Sequence, residues 1–357
     1  MQEERNGTMK VMIYDGPKKL RVEEAPSLPL KPDCIRTKSL FSGISHGTEM
    51  NIYRGVAPFF HRKADWETRL FVPAKEEDVW TYPVKSCDPG VWYMGYANVG
   101  EVTQVGAEVE GFAIGDIVYA SAPHQSECVT VAKEAVKLPK SLNPEVGIFF
   151  TNLMTVLNGI LDTRIKVGDT VVVSGLGVLG QMVTQLAKRN GAFQVFGVDL
   201  FDTRNKIAKE NGVTETFKPG QVDVALEIRK LTHNRGADAV IEVSGSMKAL
   251  QEAIRIAAPD TTVTAMGWYP TGNIVMDLSE EFHHNRVSIR SSQTGNLDPA
   301  IRHMWNDQRK TETVLELLSE LSLENLITHR ISFDDIPLAY EKIDQDPGDI
   351  IQYCVTY

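Results

Sequence analysis

The stretch GDTVVVSGLGVLGQMVTQLAKRNGA, residues 168–192, decides how this chain is read. Its β-branched run Thr170–Ser174 predicts a buried strand, and the apolar spacing from Leu179 to Asn190 predicts an amphipathic helix. Between them lies Gly175-Leu176-Gly177-Val178-Leu179-Gly180. Gly175 permits a tight turn, Gly177 lacks the Cβ that would block a pyrophosphate, and Gly180 lets helix and strand pack closely. Phosphates then sit on the helix N-terminus, where unpaired N–H groups favour negative charge. A bare G-x-G-x-x-G is weak evidence and often only a turn. Here the strand, the helix and a second strand ending in Asp199 all stand where a dinucleotide-binding turn requires them.

Asp199 lies 24 residues past Gly175. A carboxylate there accepts hydrogen bonds from both adenosine ribose hydroxyls and repels a 2′-phosphate, which favours NAD over NADP. Arg204 either reaches the same ribose or is a solvated first-turn arginine.

Bulk properties narrow the setting. A chain of 357 residues is long enough for two domains, and 42% hydrophobic with 24% charged residues is a globular composition. The net charge of −10 argues against a nucleic-acid backbone or an anionic membrane as partner. Cys34, Cys87, Cys128 and Cys354 are far apart with no CxxC pair. That spacing excludes a disulfide framework and a cysteine-rich zinc lobe and fits a reducing compartment. The polar start MQEERNGTMK carries no signal-peptide pattern, and no run reads as a membrane span, so a cytoplasmic location is expected.

Two textures follow one another along the chain. From residue 9 to about 145, short β runs such as Cys34–Leu40, Val99–Gly106, Ile117–Ser121 and Glu127–Val131 alternate with Gly/Pro turns. From about 146 to 292, strands at Thr170–Ser174, Gln194–Asp199, Ala239–Val243 and Thr261–Met266 alternate with helices. That alternation predicts an α/β fold with a doubly wound parallel sheet. A last strand at Ile350–Thr356 implies that the two ends of the chain form one discontinuous domain around the inserted module. Val56–Gly90 is long, charged and aromatic; it is either a surface excursion or a lid or wall of a substrate pocket.

In this order of parts, the whole chain resembles the medium-chain dehydrogenase/reductase (alcohol dehydrogenase-like) superfamily. The resemblance implies a GroES-like β-rich catalytic domain over residues 1–150 and 293–357 and a Rossmann domain over 151–292. It also implies a catalytic zinc held by Cys, His and a third ligand, but the matching positions here are Ser45, Tyr96 and Phe150. A hydroxyl, a phenol and a benzene ring make no zinc site, so neither catalytic nor structural zinc is expected. A closer likeness, carried by SGISHGTE, PVKSCDPGVWYMGYANVGEV, SAPHQSE and NLMTVLNGILD, is to a zinc-lacking branch of that superfamily. This branch includes bacteriochlorophyllide dehydrogenases and sugar or polyol dehydrogenases. Met154 stands where its members tend to carry Glu.

Without a metal, a side chain must take the alcohol proton as hydride leaves for the nicotinamide. The resemblance puts Tyr96 and His124 at the cleft as alternative acid/base groups, with Ser45, Glu49 and Asn152 orienting the substrate oxygen. Tyr96 as filler of a vacated metal hole, and His124 as a hydrogen-bonded turn residue, are the competing structural readings. His46 is expected against the cofactor pyrophosphate, and Ser244, Gly267, Ser292 and Gln293 along the rest of the cofactor. The implied function is an NAD-dependent dehydrogenase of a secondary alcohol in a sugar, cyclitol or larger metabolite. The alternatives are a quinone or enoyl reductase and a non-catalytic NAD(H)-binding protein. A homodimer joined along the segment Asn273–Leu278 is also implied.

Overall fold

The computed structural model describes residues 7–269 and 275–357. The chain divides into two compact units. One comprises residues up to Ile148 with His329–Asp346 and Tyr353–Tyr357; the other comprises Phe149–Thr328 with Pro347–Gln352. Residues 293–328, expected with the β-rich domain, therefore belong to the second unit, where helix Asp307–Glu320 packs on helix Phe150–Thr163.

Six parallel strands form the sheet of the second unit, in the order Glu215–Phe217, Gln194–Val198, Thr170–Ser174, Ala239–Glu242, Thr262–Ala265, Ser288–Ser291. The chain order reverses between Thr170–Ser174 and Ala239–Glu242, whose carboxyl ends pair Ser174 with Glu242. A crevice beyond such a reversal is where ligands of open α/β sheets bind. Helices cover the sheet because their apolar positions recur every three or four residues. In Met247–Ile256, Leu250, Ala253 and Ile254 are buried on one stripe, against Val240, Val263 and Phe196. The helix starts where the Ser246 side chain accepts a bond from the Ala249 N–H.

Strand Cys34–Gly43 is the hub of the β-rich unit. It pairs with Asn98–Val105 and with Glu127–Val131. It also pairs with Gln352–Thr356, so the last strand does return to the first part of the chain. That pairing sets Val355 opposite Ser42 and so brings Tyr357 near it. Within 56–94 a short strand pair, Arg62–Asp65 with Leu70–Pro73, stands beside a run of stacked rings. Phe59 lies 4.6 Å from Trp80, and Trp80 lies 3.8 Å from Tyr93, both stacked.

Two expectations need correction. Pro144–Thr163 is in fact long and apolar enough to cross a bilayer, but 67% of its apolar window is buried inside the protein, as in a core helix. Of the segment expected to extend the sheet, Asn273 and Ile274 lie outside the described residues. Val275–Leu278 form no strand; the edge strand is Ser288–Ser291.

The core predicts its own sensitivity. Ile254→Ala should cost about 2–5 kcal/mol in urea unfolding, because the side chain is fully buried. Leu226→Ala, on a neighbouring helix but 51% exposed, should cost under about 0.5 kcal/mol.

Candidate active site

The glycine turn of the second unit is built as its sequence requires. Gly175 has φ +96°, and a Cβ there would lie 2.7 Å from the Ser244 nitrogen, so the turns after the two central strands touch. A Cβ on Gly180 would lie 1.9 Å from the Gly175 carbonyl oxygen. A Cβ on Gly177 would meet only Arg204 Nη1, at 3.9 Å, so its missing side chain serves space outside the fold. That open space beside the start of helix Val178–Arg189 fits a dinucleotide pyrophosphate. Leu176, Val178 and Leu179 complete the turn and the first helical residues.

Asp199 is buried and shapes the same turn. Its Oδ2 accepts the Leu176 N–H at 2.7 Å and its Oδ1 the Phe201 N–H at 3.0 Å. Each oxygen keeps a second lone pair for a ribose hydroxyl. Arg204 is fixed rather than solvated. Its Nη2 donates to the Pro347 and Ile350 carbonyls at 3.1 Å each, and its guanidinium lies over the Phe201 ring. Burial lowers its pKa, and the Asp199 charge works against that shift.

Further along the crevice, Ser244 donates through both its N–H and its hydroxyl to Glu242, a fully buried carboxyl that also accepts from Tyr269. Burial raises the Glu242 pKa. A Cβ on Gly267 would press on Glu242 Oε2 at 3.0 Å. Ser292 donates to Asp162 at 2.7 Å, and Asn158 of the same helix reaches the carbonyl of Gln293 at 3.5 Å. Sequence reasoning missed Glu242, Asp162 and Asn158, which support the expected residues from beneath.

In the β-rich unit, Tyr96 donates to Ser45 Oγ at 2.7 Å. The Ser45 N–H donates to Glu49 Oε1 at 2.8 Å. Glu49 Oε2 faces His124 Nε2 at 2.8 Å and accepts from Tyr340. His124 Nδ1 meets Ser42 Oγ at 2.7 Å, and Ser42 Oγ meets Tyr357 Oη at 2.8 Å. Glu49 and His124 are both wholly buried. His124 fits there because Gly95 has no Cβ, which would lie 2.8 Å from the imidazole. Four of the five expected catalytic residues thus converge, and Ser42, Tyr340 and Tyr357 join them unforeseen. Asn152 lies in the other unit, half-buried on helix Phe150–Thr163, and His46 is half-buried beside Ser45.

The geometry divides the roles of the two acid/base candidates. Both His124 nitrogens are engaged inside the protein, so it presents no ring atom to a substrate. Tyr96 is only partly covered, and burial followed by the Glu49 charge pushes its pKa up to about 12. It is therefore a protonated donor at neutral pH.

The residues do not fit a catalytic zinc. Tetrahedral zinc ligands at usual bond lengths stand roughly 3.4 Å apart. The Ser45 and Tyr96 oxygens are in hydrogen-bond contact instead, and Phe150 has no donor atom. Among the described residues, no group of three or more His, Cys, Asp or Glu side chains could hold a metal ion.

A doubly wound sheet with this glycine turn, in one chain with a β-rich unit carrying a buried acid–base cluster, is the make-up of a nucleotide-dependent oxidoreductase. Comparison with known proteins agrees. Residues 178–320 match the family described as zinc-binding dehydrogenase, a segment that excludes Ser45, Tyr96 and Phe150. D-guloside 3-dehydrogenase of Escherichia coli (strain K12) is 30% identical over 355 residues, covering 98% of this chain and 100% of that protein. A Sinorhizobium meliloti 1021 protein solved bound to NADP has a TM-score of 0.77 at 22% identity, covering 98% of this chain and 100% of that one. A short chain alcohol dehydrogenase from Escherichia coli CFT073, solved with NADH, has a TM-score of 0.75 at 20% identity, covering 98% and 99%. The chain belongs to the medium-chain dehydrogenase/reductase superfamily. It is an alcohol-oxidising dehydrogenase.

Two glycine variants separate fold from binding. Gly177→Ala should keep the unfolding midpoint yet weaken NADH binding at least about tenfold in fluorescence titration, because its Cβ enters only the ligand space. Gly180→Ala should lower stability by about 1–3 kcal/mol, because its Cβ collides with backbone. Wild-type NADH affinity in Gly177→Ala would contradict this assignment.

Proposed function

We propose that the protein is an NAD-dependent, zinc-independent dehydrogenase of a secondary alcohol in a hydroxyl-rich substrate, a sugar, a cyclitol or a hydroxyalkyl group of a larger metabolite. The observation that carries this reading is the Tyr96–Ser45 hydroxyl pair, 2.7 Å apart at two positions where the superfamily resemblance implies zinc ligands. The bound nicotinamide supplies the hydride acceptor or donor. The protein supplies proton handling and orientation.

Tyr96 holds a proton on its phenol and gives it to the ketone oxygen in reduction, or recovers it from the alcohol in oxidation. Ser45, already accepting from Tyr96 and from the Thr48 N–H at 3.2 Å, orients that oxygen. Glu49 and His124 fix this pair from behind, so His124 acts through Glu49 rather than on substrate. The relative named D-guloside 3-dehydrogenase supports a sugar-like substrate. Asp199 supports NAD, its carboxylate being set to accept from a ribose and to repel a 2′-phosphate.

Tyr96→Phe should lower kcat about 10²–10⁴-fold with NADH affinity unchanged. His124→Ala should lower it less and also reduce stability, since Glu49 loses a buried partner. Full activity in both variants would sink the mechanism. Asp199→Ala should raise the KM for NAD at least about tenfold and narrow the preference over NADP. A wild-type enzyme preferring NADP would contradict the cofactor assignment.

A further inference from the structure

The cluster behind Glu49 has a direction. Glu49 Oε1 faces the Ser45 N–H, which can only donate, and Oε2 takes the Tyr340 hydroxyl. A carboxylate accepting at both oxygens makes the third group facing it, His124 Nε2, a donor; two acceptors 2.8 Å apart would repel. A neutral imidazole protonated at Nε2 must accept at Nδ1, so Ser42 spends its hydroxyl proton there. Ser42 Oγ is then left to accept from Tyr357. Every hydrogen bond points the same way, from Tyr357 inward to Glu49.

The outer residue of this line also borders a cavity. Tyr357 is half-buried and, with Thr8, Lys10, Ser126, Phe333 and Asp334, lines a cavity of about 370 Å³. Its polar wall, including the Lys10–Asp334 ion pair at 2.6 Å, suits water.

We propose that Tyr357 and Ser42 are positioning residues that form, with His124, a proton line feeding Glu49 from this cavity during ketone reduction. This rests on the dehydrogenase reading above and adds to it a means of neutralising Glu49; Tyr96, partly covered, regains its own proton from bulk water after each transfer. Tyr357 gives its hydroxyl proton to Ser42 Oγ and takes one from a cavity water, which leaves as hydroxide to bulk solvent. Ser42 gives its own to His124 Nδ1, and Nε2 yields its proton to Glu49 Oε2. One proton moves inward, no electrons move, and the imidazole ends neutral in the other tautomer. A neutral Glu49 no longer opposes ionisation of Tyr96, whose pKa its charge raises, so the phenol releases its proton more readily to the substrate oxygen.

The other ionisable groups around the line stay silent near neutrality. Burial raises Tyr14 and Tyr340 near Glu49, and Tyr357 itself, well above the ordinary phenol value. Burial also pushes Cys128 up to about 11 and Cys354 up to about 12.

The test uses the full chain with ¹⁵N-labelled histidine, the His124 signals being those missing in His124→Asn. The wild type should show the Nε2–H tautomer, and Ser42→Ala should move the Nδ1 signal towards that of a free imine nitrogen. Neither reading needs turnover, so they judge the line even if the dehydrogenase assignment fails. Tyr357→Phe should then lower kcat for ketone reduction about tenfold, with KM and NADH affinity unchanged and a larger solvent deuterium isotope effect. A merely structural phenol would leave that isotope effect alone. An Nδ1–H tautomer in the wild type, or a Tyr357→Phe enzyme with wild-type kcat and isotope effect, would overturn the proposal.

Discussion

Glu49 lies wholly inside the protein, and a carboxylate there costs several kcal/mol of desolvation unless its oxygens are hydrogen-bonded. Its partners come from three separate parts of the chain. Ser45 precedes the helix that carries Glu49, His124 follows strand Ile117–Ala120, and Tyr340 sits on helix Ile336–Gln345. All must be in place for the charge to be tolerated, so the carboxylate ties the early segments of the β-rich unit to the late ones. The pairing of strand Gln352–Thr356 with Cys34–Gly43 does the same through the backbone and delivers Tyr357 to Ser42.

The two units meet their chemical demands by different means. In the second, backbone does the work: three glycines clear space, and Asp199 holds the turn through two N–H groups before any ligand arrives. In the first, side chains do it: the Tyr96 hydroxyl bonds Ser45 Oγ, and the buried Glu49 carboxyl holds the Ser45 N–H. A hydroxyl pair is a weaker electrophile than zinc, so its orientation must be fixed in advance.

The glycine turn and Asp199 were legible because a backbone constraint writes itself into consecutive residues. Four of the six strands of the sheet were legible, and the edge strand Ser288–Ser291 was not among them. Glu215–Phe217 has only three residues and leaves no periodicity to read. The candidate site was half legible. Ser45, Glu49, Tyr96 and His124 fall in segments whose resemblance carries positions, but nothing in sequence says that both His124 nitrogens point inward. Ser42, Tyr340 and Tyr357 lie 7, 291 and 308 positions from Glu49, in a strand, a helix and the end of a strand. No local pattern links them; only tertiary pairing does. Residues 293–328 were assigned to the wrong unit for the same reason, since a helix does not announce in its own sequence which partner it packs on.

Metal analysis combined with turnover reaches the central proposal, that a hydroxyl pair and not zinc handles the substrate oxygen while the hydride is transferred. Protein purified, exhaustively chelated and assayed with NAD and a panel of sugars and polyols should contain well under one zinc per chain and keep its full rate. A stoichiometric zinc whose removal abolishes turnover and whose return restores it would contradict the account.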